Sequence, residues 1–318
     1  MDTQDTQKKK GSNTLKKVLR ERQELFFIVP VFFAALSIVA LFTWGLKPGI
    51  DLAGGSMLQI AYDEERQVTE IQDAVSGLEY GEIRVQTSDD NSFILRQKEL
   101  SNDEKNALMD ALNTIGVVEE IQFNSVGPSI GAEIVSKSWW AISLVTISII
   151  LFIAFALRHV SKPVSSWKYG LVAVITLMHD VLIPTGLFSY LGHARDAEVG
   201  VFFIVAILAT LGISINDTIV VFDRIRENLH LNEEKHAGQS FKDIVWNSVI
   251  QTLARSINTT ITVVIMLLAL FIFGPESTKD FALTLTVGMV AGTYSSVLLA
   301  SPLLVQIEKR QKKIVEEK

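Results

Sequence analysis

Six stretches of this chain are apolar over a length that suits a membrane crossing: residues 25–46, 138–157, 169–191, 199–222, 250–273 and 281–305. A hydrocarbon core about 30 Å thick needs roughly 20 apolar residues per helical crossing. The stretches are too long and too close together to be core helices of a soluble protein. The pattern therefore predicts an α-helical membrane protein with six transmembrane helices.

Between residues 47 and 137 the period changes. Residues 57–62 read as a strand with Leu58, Ile60 and Tyr62 on one face, and Val68, Ile71, Val75 and Leu78 recur at helical spacing. Ile83 and Val85 alternate, residues 88–92 form a dense turn signal, and residues 93–96 return as a strand. Ser101 followed by Glu104 has the spacing of a capping box, in which serine accepts from an orphan amide and glutamate reaches back. The helix it opens carries Leu108, Leu112 and Ile115, and residues 117–123 close as a last strand. The order βαββαβ is that of a small α+β ferredoxin-like domain.

Charge orients the chain. Lys8, Lys9, Lys10, Lys16, Lys17, Arg20 and Arg22 make residues 1–24 a basic arm, and the apolar run after it is too long for a cleaved signal, which predicts an uncleaved anchor. Short segments rich in Lys and Arg stay in the cytoplasm. Arg158, Lys162 and Lys168 after the second crossing obey the same rule, as do Lys309, Arg310, Lys312, Lys313 and Lys318 in the tail 307–318. Both termini are thus expected in the cytoplasm, with residues 47–137 and the turns near 193–198 and 275–280 outside. In those outer segments carboxylates outnumber basic residues by about ten, although the rule itself counts Lys and Arg. Residues 138–306 hold crossings two to six. Phe241, Ile244, Val245 and Trp246 read as a short amphipathic stretch on the inner surface before the fifth.

The chain has no cysteine, which excludes disulfides and thiolate chemistry. The outer domain has no histidine, no nucleophile–base pair and no metal-ligand spacing. No cofactor, metal, nucleic-acid partner or enzymatic activity is expected, and membrane lipid is the surrounding solvent.

Ionisable groups at bilayer depth are costly, and they are functional candidates for that reason. Asp217 lies about five residues before the fourth apolar stretch ends and Arg255 about five residues into the fifth. On antiparallel helices rising 1.5 Å per residue, both sit roughly 8 Å from the cytoplasmic boundary. A carboxylate and a guanidinium at one depth can pair, either as a static packing element or as an ion-handling site. Asn216, Thr218 and Asn258 surround that pair in sequence, and His179 with Asp180 lies near the middle of the third crossing. Gly288 and Gly292, in G-x-x-x-G spacing, and Gly212, Ser214, Ser295 and Ser296 would let helices approach closely.

These segments carry a resemblance. Gly49-Ile50-Asp51-Leu52-Ala53-Gly54-Gly55 resembles the Gly-Ile-Asp-Phe-Thr-Gly-Gly segment of the SecF protein-export family, departing from it at Leu52 and Ala53. The segments 126–131, 179–181, 213–228, 251–259 and 292–296 are also similar to that family, so the likeness runs from the first apolar stretch to Pro302. It implies one half of a resistance–nodulation–division-type bundle in the bacterial cytoplasmic membrane. It further implies a SecD-like partner subunit, the SecYEG channel and exported polypeptides as partners, with the proton gradient promoting late steps of export. In that family the carboxylate and arginine that map onto Asp217 and Arg255 belong to the transport path. Two other readings compete, a half-unit of a small-molecule exporter of the same superfamily and a passive scaffold within a membrane complex. About 90 outer residues are few for a drug-binding vestibule, and a scaffold would tolerate Asp217→Asn.

Overall fold

The computed structural model describes residues 26–78, 80–81, 83–88, 91–156 and 163–316. The basic arm, Arg158, Lys162 and Lys318 lie outside the described residues. The chain is mostly helical and divides into two units, one of them made of Lys47–Ala141 with Glu198–Val201.

In that smaller unit the short helix α2 (Ile50–Ala53; α1 belongs to the other unit) leads into β1 (Gly55–Tyr62), α3 (Val68–Val75), β2 (Arg84–Thr87), β3 (Ser92–Gln97), α4 (Asn102–Asn113) and β4 (Val118–Val126). The strands form one antiparallel sheet in the order β2-β3-β1-β4. Alternation decides its core: Leu58, Ile60 and Tyr62 of β1 and Phe93 and Leu95 of β3 are buried with Ile71, Val75, Leu108 and Leu112 of the two helices. The Tyr62 hydroxyl donates to the Leu112 carbonyl at 3.0 Å, and burial pushes its pKa up to about 12. The capping box forms as the spacing predicts. The Glu104 N–H donates to Ser101 Oγ at 3.3 Å, and the Ser101 N–H donates to Glu104 Oε2 at 2.8 Å. The Ser101 backbone and hydroxyl donors hold the Glu104 carboxyl below its ordinary range.

The other unit is a helix bundle: α1 (Ile28–Trp44), α5 from Ile142 onward (the whole helix being Pro128–Ala156), α6 (Ser166–Arg195), α7 (Val201–Glu234, in this unit from Phe202), α8 (Phe241–Phe273), α9 (Glu276–Ser295) and α10 (Ser301–Glu316). Between α9 and α10 lies a π-helical turn, Ser296–Ala300, so the three run on as one apolar span. The widened turn precedes Pro302, whose missing N–H and bulky ring would otherwise break an α-helical ladder. Five spans among the described residues are long and apolar enough to cross a membrane, which makes the chain a multi-pass membrane protein. Helix α1 is apolar but shorter, 17 residues.

Two boundaries differ from the sequence expectation. Helix α5 begins ten residues before its apolar stretch, with Pro128 at its first position, where a missing N–H costs nothing. The segment expected as a separate amphipathic stretch is instead the first part of α8. Phe241, Val245 and Trp246 are buried in a core shared with Tyr169, Phe222 and Leu304, so packing against neighbouring helices replaces the inner surface as their apolar environment.

Small residues set the helix approaches. A Cβ on Gly288 would stand 2.4 Å from Thr210 Oγ1, and one on Gly292 would stand 2.8 Å from Ser214 Cβ and Oγ. The G-x-x-x-G face of α9 therefore lies against Thr210 and Ser214 of α7, one turn apart, as close packing in lipid requires. Gly186 of α6 does the same against Ser37 of α1, and the Ser189 hydroxyl donates to the Ala40 carbonyl at 2.8 Å.

Candidate functional site

Polar side chains gather where α6, α7, α8 and α9 meet. The Asp217 carboxylate, on α7 and half-buried, accepts from the Thr293 hydroxyl of α9 at 3.5 Å, and the buried Ser256 of α8 lies beside it. Thr293 Oγ1 also lies 2.5 Å from Thr260 Oγ1 and 2.9 Å from the Met289 carbonyl. A hydroxyl has one proton to give. Thr260 therefore donates to Thr293, whose own proton is divided between the Met289 carbonyl and Asp217. The carboxylate thus sits at the end of a short hydroxyl chain that can reorient without moving a helix.

Arg255 does not close on Asp217. The ion pairs described for α7 are Arg224–Glu227 and Arg226–Asp223, both toward its far end, and no nitrogen of Arg255 comes within 4.0 Å of the Asp217 carboxylate. The guanidinium is near enough to act on the carboxylate electrostatically, yet it is exposed, as are Asn216 and Asn258. The expected contact ion pair is replaced by hydroxyl donors because Ser256, the next residue on α8, takes the inward position. Adjacent helical residues point about 100° apart, so only one of the two can face α7. Thr218 is buried and its hydroxyl returns to the Ser214 carbonyl at 3.5 Å, an internal helix contact.

The second pair of candidates is the better buried. Asp180 is fully buried; His179 Nδ1 lies 2.9 Å from its Oδ1, and the Ser214 hydroxyl of α7 donates to its Oδ2. The Tyr294 hydroxyl of α9 lies 3.3 Å from His179 Nε2, with the two rings edge to face. With Nδ1–H donating to Asp180, Nε2 is left as the acceptor for Tyr294, so each polar atom of the row is used. Thr293 and Tyr294, neighbours on α9, reach Asp217 and His179 respectively, and this places both clusters on one helix turn. Ser256, Thr260, Thr293 and Tyr294 were not candidates from sequence. Ser256 and Thr260 share a face at i, i+4, a signal that an apolar helix hides among its other hydroxyls.

Comparison with known proteins shows the family. Residues 107–310 match the family model described as protein export membrane protein SecD/SecF, C-terminal, and residues 39–65 match that of the SecD/SecF GG motif. The chain is 39% identical over 298 residues to the protein translocase subunit SecF of Thermobaculum terrenum, covering 90% of this chain and 92% of that one. It is 35% identical to the subunit of the same name from Sebaldella termitidis, covering 94% of each. Among solved structures it resembles SecDF, a translocon-associated membrane protein from Thermus thermophilus, with a TM-score of 0.80 and 28% identity. The match covers 92% of this chain and 38% of the SecDF chain, so the chain spans well under half of that longer relative.

Proposed function

The chain belongs to the SecD/SecF family of protein-export membrane proteins, and from that premise we propose that it is the SecF-type subunit of a protein translocase, which uses the proton gradient to promote export. Its partners on this reading are a SecD-type subunit, the SecYEG channel and the exported polypeptide. The observation that carries it is Asp217, a carboxylate at membrane depth in the same helix bundle as the buried His179–Asp180 pair, held by hydroxyl donors that can exchange. A static packing element would be expected to close on the nearest cation, and this one does not.

The exposed face supports a partner. A guanidinium left in lipid costs about 3 kcal/mol even by the lower scales. Arg255 with Asn216 and Asn258 on the outer surface of α7 and α8 is therefore a surface for another membrane protein to cover. Counting α1 as a crossing gives six, half of a pseudo-symmetric bundle, and the βαββαβ unit is ferredoxin-like in its sheet order. The experiment is affinity purification from native membranes after photo-crosslinking from position 258. A SecD-type chain should be captured; recovery of self-pairs alone would remove the subunit reading.

Orientation follows the positive-inside rule, with both termini in the cytoplasm of a bacterial cell and the sheet unit outside. Because the chain lacks cysteine, single introduced thiols report cleanly. An impermeant maleimide added to intact cells should label Lys279→Cys and leave Gln239→Cys unreacted until the membrane is opened. The reverse pattern would invert the topology.

A further inference from the structure

The start of α7 is held at Glu198, Val199 and Val201 by groups that the proton-handling clusters do not use. The Val201 N–H is one of the orphan donors at the head of a 34-residue helix, and it donates to Asp51 Oδ2 at 3.2 Å. A carboxylate there also complements the positive end of the helix dipole. A Cβ on Gly200 would stand 2.8 Å from that same oxygen and would displace it. Both backbone groups of Val199 are spent: its N–H donates to the Lys47 carbonyl at 2.8 Å and its carbonyl accepts from the Gly49 N–H at 2.9 Å. The Glu198 carboxylate meets Arg96 Nε of β3 at 3.0 Å, with the two side chains 21% and 20% exposed. Three of four consecutive residues, Glu198, Val199 and Val201, are thus fastened to the glycine-rich loop around α2 and to the sheet, and all of them belong to the smaller unit.

We infer that Asp51 and the Arg96–Glu198 pair are positioning residues, a clasp through which displacement of the outer sheet reaches Asp217 along α7. A pull on the first turn is carried down a continuous helix, since its hydrogen bonds resist extension. From Val201 to Asp217 the rise is about 24 Å. A loose linker at 198–201 would absorb such a pull, and here both backbone groups of Val199 and the N–H of Val201 are bonded. The inference rests on the reading that Asp217 handles protons. The clasp itself is a matter of hydrogen bonds and can be tested separately.

The assay uses the full chain with its SecD-type partner and channel in vesicles, in variants matched for assembly. Three quantities are followed: amide exchange over residues 199–205, gradient-driven proton uptake, and export of a reporter polypeptide. Asp51→Ala should raise exchange at Val201 about fivefold, the equivalent of one lost cap. It should abolish gradient-stimulated export while proton uptake continues. Asp51→Asn keeps an acceptor oxygen and should export like wild type. Arg96→Glu and Glu198→Arg should each fail to export, and the double exchange should restore most of it.

Unchanged exchange in Asp51→Ala overturns the clasp. Proton uptake and export falling in parallel overturns the positioning role and leaves a stabilising cap. If wild type itself takes up no protons, the proton-handling reading has failed, and the exchange measurement alone decides the clasp.

Discussion

Asp217→Asn should abolish the stimulation of export by a proton gradient while leaving the complex assembled. Asparagine keeps the shape of the side chain and can still accept from Thr293 through its carbonyl oxygen, so the local packing of α7 against α9 survives. It cannot bind and release a proton. The measurement is export of a reporter into vesicles with and without a gradient, at equal subunit levels. Arg255→Lys should retain part of the stimulation and Arg255→Met none, because lysine keeps the charge that acts on Asp217 but loses the planar fork. Gradient stimulation that persists in assembled Asp217→Asn complexes would transfer the chain to the scaffold reading.

The second large effect is structural. Gly186→Leu should remove most of the folded protein from the membrane. Even the first added carbon would lie 2.3 Å from Ser37 Cβ and 2.4 Å from Ser37 Cα, so α1 must move away from α6. Separating them also breaks the bond from the Ser189 hydroxyl to the Ala40 carbonyl. Overpacking of this kind costs about 3 kcal/mol at the upper end of its usual range. Quantitative blotting of membranes at fixed expression measures the loss. Ser37→Gly in the Gly186→Ala background removes the Cβ and Oγ but leaves Cα in place, so it should rescue only in part. Full levels of Gly186→Leu would show that α1 is not packed on α6 in the assembled protein.

The elements of this protein were legible from its residues to different degrees. The period-2 positions Leu58, Ile60 and Tyr62 announced the buried face of β1, and Ser101 with Glu104 announced the start of α4, because each signal depends only on neighbours in the chain. The G-x-x-x-G of α9 suggested a close approach without saying to what; Thr210 and Ser214 of α7 are the answer. The apolar length of the helices determined that they cross a membrane. It placed the starts of α5 and α8 poorly, since amphipathic turns at both ends continue the helix without being apolar all round.

The site divides along the same line. Depth in the membrane follows from counting residues at a fixed rise, so the sequence alone leads to the expectation that Asp217 and Arg255 lie at one level. Rotation about the helix axis depends on which neighbouring helix each face meets, and only the tertiary structure decided it. It turned Ser256 toward Asp217 and left Arg255 on the outer face. It set Tyr294 on His179 and Ser214 on Asp180, and it brought Asp51, some 150 positions earlier in the chain, onto the first amide of α7. A one-residue step turns a helix by about 100°, so partners at equal depth are chosen by packing between helices, which no local pattern along the chain contains.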